Sequence, residues 1–160
     1  ALGGNGSDAL DINNAGQVVG RAYTTGNVAQ HAFIYNNGTI TDLNSLIDPE
    51  SGWELHSAEA INNLGQIVGT GTIGGQSRAF VYSSGMITDL NSLIDPASGW
   101  VLGSASAINN QGQIVGTGTI GGQSRAFLMT PVPEAQTYAM MLAGLGLVGF
   151  IARRRKLANV

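Results

Sequence analysis

The run Ala79-Phe80-Val81-Tyr82 places apolar side chains at both alternate positions, between stretches rich in Gly, Asn, Ser and Thr. Successive side chains of a strand point to opposite faces, so a run of this kind suits a strand covered on both sides. The same reading marks strands at residues 58–61, 66–72, 78–82 and 86–90. Turn chemistry separates them. Asn62-Asn63-Leu64-Gly65 offers a glycine for a positive φ, Gly74-Gly75 does the same, and Asn37-Gly38 or Ser84-Gly85 suits a two-residue hairpin. The pattern predicts a four-stranded antiparallel meander.

The meander recurs with a period of about 47 residues, in the range of blade or solenoid units. The string from Ser57 to Phe80 returns almost unchanged from Ser104 to Phe127, and the block from Ile40 to Trp53 recurs from Ile87 to Trp100. An earlier, more diverged copy runs from Ala9 to Gly20 and continues at His31-Ala32-Phe33, while the third copy breaks off after Met129-Thr130. Residues 1–130 therefore read as an all-β body of two complete units and a truncated third. The units are expected to be propeller-blade-like or stacked. Propellers close with about four to eight blades, so fewer than three do not close within one chain. An unclosed array leaves strand edges and an apolar end face, from which self-association is expected.

The recurring Ile-Asn-Asn-x-Gly-Gln-Ile-Val-Gly, Arg/His-Ala-Phe and Ile-Thr-Asp-Leu strings resemble the HAF family of bacterial extracellular repeats. The resemblance covers residues 3 to about 130 and implies an extracellular location; it carries no reaction. One departure is that Asp42-Leu43 and Asp89-Leu90 lead into Asn-Ser-Leu-Ile-Asp-Pro, where the family often has Leu-Gly-Gly.

Residues 131–160 differ in kind. An uncharged apolar segment from Tyr138 to Ala152 is followed directly by Arg153, Arg154, Arg155 and Lys156. This predicts a hydrophobic helix over 138–152, a little short of the ~20 residues that cross a bilayer, with its basic end held in the cytoplasm. Ala139, Ala143 and Gly146 fall along one face of such a helix, where small side chains let helices approach. Val132-Pro133-Glu134, the apolar segment and the basic cluster together resemble a PEP-CTERM sorting signal, with Ala135 standing where that family usually has proline. The resemblance implies export, anchoring in the inner membrane, cleavage by an exosortase near Pro133-Glu134, and delivery to the cell surface or extracellular matrix. The chain begins at Ala1-Leu2-Gly3-Gly4 without an apolar export segment, so a removed signal peptide or a fragment boundary is expected there.

Charge narrows the partners. With four of the seven basic residues at 153–156, only Arg21, Arg78 and Arg125 remain for an acidic body, too few and too scattered to hold a phosphate backbone. Nucleic acid is not expected. The absence of cysteine removes disulfides, thiolate metal sites and cysteine nucleophiles.

No catalytic residue, cofactor or metal is expected. His31 stands where later repeats carry Arg78 and Arg125, and His56 corresponds to Gly103, so neither occupies a position reserved for a general base. Asp11 in Asp-Ile-Asn-Asn-Ala-Gly resembles the start of a calcium loop, but Ala60 and Ala107 replace it in the other copies. Asp42 and Asp89 are expected to bind turn amides, and Asp48-Pro49 and Asp95-Pro96 to initiate turns. Trp53 and Trp100 follow Ser-Gly in each repeat and are expected to pack. The leading expectation is a structural, non-enzymatic surface or biofilm-matrix protein that forms homo-oligomers or filaments. The alternative is an exopolysaccharide-binding module with Trp53 and Trp100 as stacking platforms.

Overall fold

Each repeat folds into its own antiparallel sheet. In the computed structural model, which describes residues 1–131, β1 (Gly3–Ile12), β2 (Val18–Thr24), β3 (Gln30–Asn36) and β4 (Thr39–Asp42) form the first sheet in chain order. β5 (Trp53–Ile61), β6 (Ile67–Ile73), β7 (Gln76–Ser83) and β8 (Met86–Asp89) form the second. β9 (Val101–Ile108), β10 (Ile114–Ile120) and β11 (Gln123–Met129) form a three-stranded third. The body is thus all-β, and its helical turns are short 3-10 segments such as Leu43–Ser45 and Pro49–Ser51. The helix expected over 138–152, the small residues Ala139, Ala143 and Gly146, and the sorting residues Val132, Pro133, Glu134 and Arg153 to Lys156 lie outside the described residues.

The first strand of the second repeat is longer than its sequence suggests, starting at Trp53 instead of Ala58. Register shifts between Leu55 and Ser57 and between Ala58 and Ala60 bring Leu55, Ala58 and Ile61 onto one core face, a spacing of three. These bulges break the period of two by which a strand is recognised.

The central sheet is buried on both faces. Val19, Ala32 and Leu43 of the first repeat meet Leu55, Ile61, Ile67 and Phe80 of the second, with Trp53, Tyr82 and Ile87 packed at the margin. From the opposite face of the second repeat, Ala60, Val68, Ala79 and Leu90 meet Leu102, Ala105 and Ile114 of the third. Alternate residues of β7 therefore serve different cores: Phe80 and Tyr82 the first, Ala79 and Val81 the second. Little apolar surface is buried within a sheet, so each unit draws its stability from its neighbours.

A glycine in each repeat makes this packing possible. Gly69 pairs with Phe80, and a Cβ on Gly69 would collide with the backbone carbonyl oxygen of Ser57, which the adjacent bulge brings close. Gly20 with Phe33 and Gly116 with Phe127 repeat the pairing and the collision, against the carbonyls of Asp8 and Ser104. The aromatic ring lies over the strand where no side chain can stand, which fills the gap that the glycine leaves.

Among the described residues the third sheet has three strands, and its sequence departs from the other repeats at the next hairpin position. The hairpins leading to β4 and β8 place Asn37 at φ 48° and Ser84 at φ 51°, each followed by a glycine at φ 83°. Pro131 occupies the position equivalent to Ser84, and its ring holds φ near −65°, outside the positive range that Asn37 and Ser84 adopt there.

Candidate functional site

Asparagine-led turns join the sheets in register. In Asn62-Asn63-Leu64-Gly65-Gln66, the Asn62 Oδ1 accepts from the amides of Leu64 and Gln66, each at 3.0 Å, and its Nδ2 donates to Gln66 Oε1 at 2.7 Å. That leaves one donor hydrogen, which goes to the Asn109 carbonyl of the third repeat at 3.0 Å. Asn13 does the same one repeat earlier, donating to the Asn62 carbonyl at 3.1 Å. The following residues add a second rung: the Asn14 amide donates to Asn63 Oδ1, and the Asn63 amide to Asn110 Oδ1, both at 2.9 Å. Every rung runs the same way, from donor in one repeat to acceptor in the next. Asn13 and Asn62 are buried, and a buried amide with its bonding capacity matched in this way fixes register as well as adding stability.

A second device closes the opposite end of each junction. Asp42 Oδ1 accepts from the amide of Asn44 at 2.9 Å, capping the 3-10 turn, and Asn44 then pairs with the backbone of Leu55, accepting at 2.7 Å and donating at 2.9 Å. Asp89, Asn91 and Leu102 repeat the arrangement. Asp42 and Asp89 thus bind turn amides, and Asp48 and Asp95 cap the next turns through the amides of Glu50 and Ala97. The Asn-x-x-Gly-Gln recurrence was the visible signal for the first device, but its donation between repeats depends on how the sheets face one another, which the strings do not specify.

The ionisable residues pair within repeats and, in two cases, across the first junction. His31 Nδ1 lies 2.6 Å from Asp42 Oδ2, and its Nε2 lies 3.9 Å from Glu54 Oε1. His56 Nδ1 is 4.0 Å from that same Glu54 oxygen, and its Nε2 is 3.2 Å from Thr72 Oγ1. In the second junction Arg78 Nε faces Asp89 Oδ2 at 3.8 Å, where His31 faces Asp42 in the first. Arg21 donates to Asp8 at 2.9 Å, and this bond raises the arginine's pKa above its ordinary value. Asp11 spends both carboxylate oxygens on backbone amides, those of Ile12 and Ile61, each at 2.8 Å. His31 and Asp42 have the arrangement of a base and its orienter, yet the only hydroxyl bonded to a histidine among the described residues is that of Thr72, on His56.

Trp53 is half-buried and packs edge-on against Phe80, with ring centroids 6.2 Å apart and planes at 74°. Trp100 borders a cavity of about 290 Å³ with Ile94, Leu102, Phe127 and Met129. The first junction has Ile87 of β8 packed among the equivalent groups, and the repeat register puts Glu134 at that position in the third copy. The far face of the third sheet exposes apolar side chains. Val115 and Leu128 are 42% and 64% accessible there, whereas their counterparts in the second repeat are covered, Val68 fully and Val81 in part.

A family model described as a protein of unknown function, DUF3466, matches residues 2–130, and a PEP-CTERM protein-sorting motif matches residues 131–156. No curated protein and no solved structure matches the chain. The sorting motif marks the chain for export through a membrane-anchored stage and for processing by an exosortase.

Proposed function

The chain belongs to the DUF3466 family, and from that premise we propose a structural protein of the cell surface or extracellular matrix, whose β-repeat body self-associates. The observation that carries this reading is the mode of construction: both hydrophobic cores lie between sheets, so the contact that stabilises the body is one that a further unit can make again. The exported destination of the tail and the likeness of the repeat strings to HAF-type extracellular repeats support the same setting. The ionisable groups are engaged in pairs within repeats and, for Asp11, in a bond between them, which suits a scaffold better than an enzyme.

Display at the surface is expected to require an exosortase, and replacing Arg153, Arg154, Arg155 and Lys156 by Gln should impair retention and orientation, because these charges hold the cytoplasmic end. Surface labelling of intact cells measures both. Unchanged display in an exosortase-null strain and in the Gln variant would remove the sorting basis. Light scattering of protein recovered from the surface tests the scaffold itself: oligomers are expected at micromolar concentration, and a monodisperse monomer would refute it.

The alternative, an exopolysaccharide-binding module, rests on Trp100, whose ring borders the 290 Å³ cavity; Trp53 is engaged with Phe80. Saturable polysaccharide binding lost in Trp100→Ala would favour it.

A further inference from the structure

We propose that the outer face of the third sheet docks the first sheet of a second copy of this chain, and that the asparagine rungs continue across the junction. This rests on the self-association reading above and names the surfaces and their polarity.

The heptapeptide Ile-Val-Gly-Thr-Gly-Thr-Ile occurs unchanged as β6 and β10. In β6 both faces are covered. In β10 Ile114, Gly116 and Gly118 are buried against the second sheet, while Val115, Thr117 and Thr119 are exposed. The covered form of this face is already present in the molecule, because Val68, the counterpart of Val115, is buried against the third repeat and Thr70 and Thr72 are partly covered. The complementary face is also present. The first repeat carries Ile12 and Tyr35 where the second carries Ile61 and Tyr82, which pack against the preceding sheet; Ile12 is 63% and Tyr35 40% exposed, while Ile61 is 4%.

The hydrogen-bonding groups match as well. Among the described residues, Asn109 Nδ2 donates only within its own turn, to Gln113 Oε1, so the donor that Asn13 and Asn62 direct to the next repeat is open. At the other end, the Asn13 carbonyl and Asn14 Oδ1 are the acceptors equivalent to those used at Asn62, Asn63, Asn109 and Asn110. The third sheet offers donors and the first offers acceptors. Two third sheets facing each other would oppose donors to donors, so a two-fold dimer through this face is disfavoured. The contact is heterologous and propagates head to tail, into a filament unless the rotation closes a ring. Ala107 in place of Asp11 is no obstacle, since the junction at Ala60 forms without that carboxylate. β1 has Gly4 and Gly6 where β5 has Trp53 and Leu55, so the intermolecular junction buries less apolar surface than either internal one and is reversible.

The chain has no cysteine, which makes cross-linking a clean test on the full-length protein. Copies carrying Asn14→Cys are mixed with copies carrying Asn110→Cys and oxidised. Both sites are exposed turn residues. The Asn14→Cys/Asn63→Cys double variant is the intramolecular control, since the Asn14 amide already lies 2.9 Å from Asn63 Oδ1. The expected result is a disulfide-linked heterodimer of the Asn14→Cys and Asn110→Cys copies, in preference to a homodimer of either. Leu128→Lys in the Asn110→Cys copy should lower its yield roughly tenfold, because an ammonium would have to lose its water against an apolar face. Circular dichroism checks that this exposed substitution leaves the fold intact. Oligomers by light scattering without the heterodimer would overturn the proposed junction and leave self-association standing through another surface. Monomers under the same conditions would overturn both. A heterodimer indifferent to Leu128→Lys would exclude the sheet face from the contact.

Discussion

Phe80→Ala is expected to lower the unfolding free energy of the body by about 3–5 kcal/mol, the range for removing a large aromatic from a well-packed core. Phe127→Ala, the same change in an almost identical sequence, should cost clearly less. Phe80 is fully buried, lies over Gly69, meets the edge of Trp53 and faces the first sheet. Phe127 lies over Gly116 in the same way, but it is only half-buried and borders the 290 Å³ cavity. Part of the space that truncation would create there is already open to solvent, so less packing is lost. Urea titration followed by tryptophan fluorescence measures the difference, with Trp53 reporting on the ring it touches. Equal losses would mean that the two junctions are equally filled, and that the cavity beside Trp100 does not persist in solution.

The contrast between those two phenylalanines also marks how much of the molecule was legible in its sequence. Repetition gave the units, and glycines with Asn-Gly or Ser-Gly pairs gave the turns, because a positive φ leaves few residue choices. The doubly apolar run at Ala79 to Tyr82 gave a strand covered on both faces, and Ala79 and Phe80 do point into separate cores. The start of β5 was not legible, since its bulges place Leu55, Ala58 and Ile61 on one face at a spacing that no strand template has. Nor were the rungs between repeats. Asn62 reads in sequence as a turn residue, which it is, but its remaining hydrogen goes to a carbonyl 47 residues away, and only the stacking of two sheets decides that. Trp53 and Trp100 occupy equivalent positions with different surroundings: Ile87 of β8 packs at the first site, and among the described residues the third sheet has no strand equivalent to β8. Sequence reports what a repeat contains; exposure depends on which neighbour stands beside it.

Asn62→Ala tests that dependence on neighbours most directly, and is expected to cost about 2–3 kcal/mol, within the range for leaving buried polar groups without partners. The substitution strips acceptors from the Leu64 and Gln66 amides and a donor from Gln66 Oε1, and it also breaks the rung to the Asn109 carbonyl. Asn62 is 3% exposed, so water has little access to replace what is lost. Asn109→Ala removes the same bonds within its turn, to the amides of Gln111 and Gln113 and to Gln113 Oε1, but Asn109 is exposed and makes no onward rung among the described residues. Solvent can satisfy those groups, and the cost should stay below about 1 kcal/mol. The difference between the variants, read by urea titration of each under identical conditions, isolates burial and the rung from turn formation, which both share. If Asn109→Ala is as damaging as Asn62→Ala, the asparagines act only through their own turns, and register between sheets is set by the apolar cores alone. If the expected gap appears in dilute protein and narrows at concentrations where copies associate, then Asn109 has acquired on assembly the burial and the partner that Asn62 has within the chain.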